Sequence, residues 1–152
     1  MQRLKYERII FICTDNTCCS PMADSIFKTM PVSEAIESFS RGLVVLFPEP
    51  MNPKVEEVLK IHGISMSGHI AKQFHSHEAA EHTLILTMTE NQKMNVTKDY
   101  FVTHNVYTIK EFVGEYGDCM DPYGGNLLAY EDCYSEIVRL VKKSAYRIQI
   151  EV

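Results

Sequence analysis

Four short apolar runs, each followed by a segment with helical spacing, restrict this chain more than any other feature of its sequence. The runs are Glu7 to Ile12, Ile36 to Phe39, Thr83 to Met88 and His104 to Ile109. Short β-branched runs bounded by polar residues read as buried strands. After the first, Ser20 stands as a helix N-cap with Pro21 at the first helical position, and Ala23, Ile26, Phe27 and Met30 share one face up to Pro31. Asn52 and Pro53 open a second helix, with Val55, Val58 and Leu59 inward and Gly63 at its end. Thr89 and Gln92 form a capping box for a third, and Tyr130, Tyr134, Ile137 and Val141 line a long final helix. Strands alternating with helices build right-handed βαβ units, so the expected fold is α/β, a parallel sheet with helices on both faces.

A chain of 152 residues suffices for one domain, expected to span residues 1–152, with its own hydrophobic core. "LFPEPMNP", Leu46 to Pro53, is too short and apolar for a linker and reads as a loop. The net charge of -5, with no Lys/Arg cluster, argues against nucleic acid as a partner. No stretch is long enough for a membrane span, and the apolar part of the start is too short for a signal peptide. Five cysteines, three of them crowded at Cys13, Cys18 and Cys19, make a poor disulfide framework and point to a reducing cytoplasm. Cys133 falls in a helical pattern and reads as core. Three thiols with His69 or His75 fit no ordinary zinc spacing, and the six histidines and eight methionines form no ligand stripe. Neither a metal nor a cofactor is expected.

The first strand runs into "CTDNTCCSP", Cys13 to Pro21. Ligands of open α/β sheets bind beyond the carboxyl ends of strands, where the next helix offers free amides and a positive dipole end. A thiol there favours its anionic form, which makes Cys13 a possible nucleophile. Position alone leaves a small buried core cysteine as the other reading.

"ICTDNTCCSPMADSIF" resembles the phosphate-binding loop of the low-molecular-weight protein tyrosine phosphatases, whose pattern is Cys, any residue, Gly, Asn, any residue, Cys, Arg, Ser, Pro. "HGISMSGHIAKQF", "LILTMTENQK" and "DCMDPYGG" resemble further segments of that family in the same order. The resemblance implies a three-layer fold with a four-stranded parallel sheet flanked by helices. It also implies that Cys13 attacks phosphorus, that Asp121 is the general acid and then base, and that Ser20 stabilises the thiolate. Thr14, Asp15, Asn16, Thr17, Cys18 and Cys19 would form the phosphate loop, with Asn16 as its brace and Tyr123 lining the cleft. Thr17 matches the family's arginine phosphatases. The implied partner is a phosphorylated protein or small phosphoester, with a phosphate-like or sulfate-like anion in the loop.

Two positions depart from the pattern: Cys19 stands at the family's Arg and Asp15 at its Gly. A guanidinium binds phosphate through two charge-assisted bonds; a thiol cannot. The loop therefore loses a positive charge and gains a negative one. Arg41, in "SFSRGL", or Lys72 could supply a cation from another loop. Three functions stay open: a weak phosphotyrosine or phosphoarginine phosphatase, a pseudophosphatase that binds without turnover, or a thiol-redox sensor. For the last, the resemblance offers Cys13 with Cys18 as a protective pair and Cys19 as a further thiol. Arsenate reductases share the fold, but Thr87 to Asp99 lacks their relay cysteines, and Cys119 could serve only if its loop folds back over the site.

Overall fold

The computed structural model describes residues 3–66 and 68–151. β1 (Arg8–Cys13), β2 (Glu37–Gly42), β3 (Thr83–Thr87) and β4 (Val106–Thr108) form one parallel sheet in the order β2-β1-β3-β4. β1 is central and buried along almost its whole length, which is why it reads as a continuous apolar run without alternation. Ile9 and Phe11 point into one layer with α1 (Cys19–Phe27), α2 (Pro53–Ile61), a short α4 (Ile109–Phe112) and α5 (Leu127–Ile150). Ile10 and Ile12 point the other way, onto Phe74, Val102 and Val96 of α3 (Glu90–Asp99). The three-layer, four-stranded arrangement is the expected one. Among the described residues, no helix is long and apolar enough to cross a membrane.

Local chemistry explains most boundaries. The Asn52 side chain accepts from the Lys54 amide at the start of α2, and Gly63 supplies the left-handed residue after its end. Thr89 and Gln92 make the reciprocal capping box of α3. Three expectations change. Ser20 does not cap α1: Cys18 holds that position, its carbonyl accepting from the Met22 amide, while the Ser20 side chain turns inward. The second strand extends to Gly42, drawn along by pairing with β1 through Cys13. The fourth keeps only three residues, because Asn105 is left-handed before it and Thr108 caps α4 after it.

The carboxyl ends of β1 and β2 meet closely. Leu43 and Val44 donate backbone hydrogen bonds to the carbonyls of Cys13 and Thr14. Gly42 is required there: an added Cβ would lie 2.6 Å from Val45 Cγ2, 2.9 Å from the Thr14 carbonyl oxygen and 3.0 Å from Asn16 Cβ. Gly42→Ala is therefore expected to cost about 1–3 kcal/mol, the usual range for overpacking a rigid site, read from urea unfolding. An unchanged midpoint would show that the loop yields freely.

Candidate active site

The turn from β1 into α1 is built around Asn16, which is fully buried and left-handed at φ 62°. Asparagine tolerates this conformation better than most residues with a Cβ. Its amide is oriented by its partners: Oδ1 accepts from the Lys72 backbone amide at 2.9 Å, so Nδ2 faces Ser20 Oγ at 3.0 Å. With that donor on its oxygen, Ser20 is free to direct its own proton to Cys13 Sγ, 2.8 Å away. His69 Nε2 donates to the Asn16 carbonyl, and the Asn52 amide to that of Thr17. Asp15 is exposed and accepts the Thr17 amide at 3.2 Å.

Above the loop lies a cavity of about 120 Å³. Cys13, Thr14, Asp15, Cys18 and Cys19 form its floor; Met88, Thr89 and Gln92 one wall; Cys119, Met120, Asp121 and Tyr123 the other. The wall carrying Asp121 is fixed by hydrogen bonds that each engage a backbone group. The Cys119 amide donates to the Met88 carbonyl, Asp118 accepts the Glu90 amide, and Asp121 accepts the Tyr123 amide at 3.0 Å. Gln92 accepts from the amides of Met88 and Thr89 and donates to Thr14 Oγ1, which ties α3 to the loop.

Two carboxylates, Asp15 and Asp121, line the cavity; among the described residues no lysine, arginine or histidine does. Arg41 is engaged by Glu78 at 2.8 Å, and Lys72 contributes its backbone amide. Their side chains border a separate depression with Asp24 and Lys28. Neither supplies the cation considered from sequence. Burial pushes the Cys13 thiol up to about 11; the neighbouring Cys19 sulfur and Asp15 add to this, while the Ser20 contacts oppose it. The lowering expected from the helix end is outweighed by desolvation. Cys19 itself is lowered, first because Cys133 can donate to its sulfur, with the contact to Cys18 adding to this; burial and the two carboxylates oppose the shift.

The model of the family "Low molecular weight phosphotyrosine protein phosphatase" matches residues 8–152. The chain belongs to this phosphatase family. The protein-tyrosine-phosphatase PtpB of Staphylococcus haemolyticus is 38% identical over 136 residues, covering 90% of this chain and 96% of its own. A crystal structure of the low molecular weight protein tyrosine phosphatase from T. tengcongensis superposes with a TM-score of 0.84 at 35% identity, covering 92% of this chain and 98% of that one. The YwlE arginine phosphatase from Geobacillus stearothermophilus gives 0.81 at 31% identity, covering 94% and 93%.

Within this low molecular weight phosphatase fold, Cys13, Thr14, Asp15, Cys18, Cys19, Asp121 and Tyr123 line one cavity. Ser20 and Asn16 lie beneath it, and Thr17 lines an adjoining groove that shares Asp15 and Tyr123. Three contributors escaped sequence reading. In sequence Gln92 reads only as a cap, His69 as a loop histidine, and Cys119 as a thiol that needs its loop to fold over the site, as it does in the structure. All five cysteines are buried, and Cys13, Cys18, Cys19 and Cys119 meet the outside through the cavity. Below its pKa a thiol gains thiolate about tenfold per pH unit. Alkylation of Cys13 by iodoacetamide, followed by peptide mapping, is accordingly expected to accelerate about tenfold per unit from pH 7 to near 10. A rate already level at pH 7 would contradict the shift to about 11.

Proposed function

We propose that the protein is a phosphatase of phosphorylated protein side chains whose turnover is strongly attenuated. The observation that carries this reading is the Cys13 sulfur, 2.8 Å from Ser20 Oγ, on the floor of a cavity whose wall bears Asp121. In this reading Cys13 attacks phosphorus and forms a cysteinyl-phosphate. Asp121 protonates the departing group and then takes a proton from the water that hydrolyses the intermediate. Ser20 steadies the thiolate, the amides of residues 14–19 and the start of α1 cradle the phosphate oxygens, and Tyr123 flanks the side chain that bears the phosphate.

The attenuation follows from charge. Cys19 takes the place of the family's Arg and Asp15 that of its Gly, so a dianion meets two carboxylates and, among the described residues, no cation. Loss of one neutral oxyanion donor costs roughly 10²–10³ in rate, and a bidentate cation is worth at least that much. Phosphoarginine suits this cavity better than phosphotyrosine, since its guanidinium would be attracted by Asp15 and Asp121. Thr17 and the likeness to an arginine phosphatase support the same substrate. The odd, unpaired set of cysteines fits the reducing cytoplasm as its location. The missing cation also favours a second reading, a module that binds a partner without turnover.

Hydrolysis of an aryl phosphate and of a phosphoarginine peptide by purified protein separates the two. Under the phosphatase reading, phosphate release is slow, vanishes in Cys13→Ser and falls by about 10²–10⁴ in Asp121→Asn. Cys19→Arg is expected to raise kcat/KM on the aryl phosphate by about 10² or more, and Asp15→Gly added to it to raise the rate again. Absence of any Cys13-dependent release, in wild type and in the folded double variant alike, would establish the binding reading instead.

A further inference from the structure

Cys19 sits between two other sulfurs. Its Sγ lies 3.9 Å from Cys133 Sγ of α5 and 3.9 Å from Cys18 Sγ. Cys19 lines the cavity, whereas Cys133 is fully enclosed behind it. We propose that Cys19 and Cys133 form a reversible disulfide when the protein meets hydrogen peroxide, joining the first turn of α1 to α5 and leaving Cys13 unlinked. The inference needs no turnover at Cys13 and stands apart from the phosphatase reading.

Geometry selects this pair. α1 packs directly on α5, and with the sulfurs 3.9 Å apart a bond of about 2.05 Å asks them to approach by about 2 Å. Cys18 is equally near but adjacent in sequence. Consecutive Cα atoms stand about 3.8 Å apart, short of the roughly 4.4–6.8 Å that disulfides span. Cys13 is committed to Ser20, and burial keeps its proton on. Cys19 has the opposite character: thiols on both sides favour its anion, and the cavity of about 120 Å³ admits a molecule as small as a peroxide.

The chemistry balances with peroxide as the sole oxidant. The Cys19 thiolate attacks one peroxide oxygen; the S–O bond forms, the O–O bond breaks, and hydroxide leaves and takes up a proton to become water. The Cys133 sulfur then attacks the Cys19 sulfenic acid. The S–S bond forms, the S–O bond breaks, and the Cys133 proton leaves with the hydroxyl as a second water. A dithiol reductant reverses the bond.

Peptide mapping of the wild-type protein after equimolar hydrogen peroxide tests this directly. The expected result is a dominant Cys19–Cys133 linked peptide, abolished by dithiothreitol, with Cys13 still free to be alkylated after denaturation. In Cys133→Ala, Cys19 is expected to stop at sulfenic acid, trapped by dimedone, or to proceed to sulfinic acid. Dominance of a Cys13–Cys18 or Cys18–Cys19 linkage, or a Cys19 that stays reduced, would overturn the proposal. The wild-type mapping decides the matter even if Cys133→Ala folds poorly.

Discussion

The site depends on one buried side chain, Asn16, bonded on both faces of its amide. One end takes the Lys72 backbone amide, the other gives a proton to Ser20, and Ser20 in turn addresses Cys13. The same residue bends the chain from β1 into α1 through a left-handed conformation. Remove it, and the turn loses its shape while the thiol loses the order of its hydrogen bonds. A buried polar network of this kind is tolerable only when every member is satisfied, and no buried side-chain nitrogen or oxygen among the described residues lacks a partner.

Around that anchor, shape and charge have different origins. Backbone groups set the shape: Leu43 and Val44 on Cys13 and Thr14, Asn52 on Thr17, Cys119 on Met88. Side chains set the charge, and here they leave two carboxylates and a group of thiols where an anion would sit. Burial is the first cause of the raised Cys13 pKa, with the Cys19 sulfur and Asp15 adding to it, while neighbouring thiols lower that of Cys19.

The layered fold was legible because its signals are local and redundant. The runs at β1 and β3 have no amphipathic alternation to confuse them, and the caps at Asn52 and Thr89 act within one helical turn. Ser20 misled for a complementary reason: its sequence context is that of a cap, but a tertiary bond to Cys13 outbids the local one. The loop residues were legible through family resemblance. Gln92, His69 and Cys119 were not, because each reaches the site from a segment distant in sequence, and only packing reveals what it touches. The cation sought in Arg41 was unreadable likewise, since its capture by Glu78 joins two separate segments.

The wall that carries Asp121 is held through the Cys119 amide and through Asp118 at the head of α3. The part of this anchoring made by the Cys119 amide is main-chain and does not depend on the side chains that line the hollow. Evolution can thus rewrite what such a hollow attracts without redrawing it, and a superposition of Cα traces alone carries no information about which ions enter.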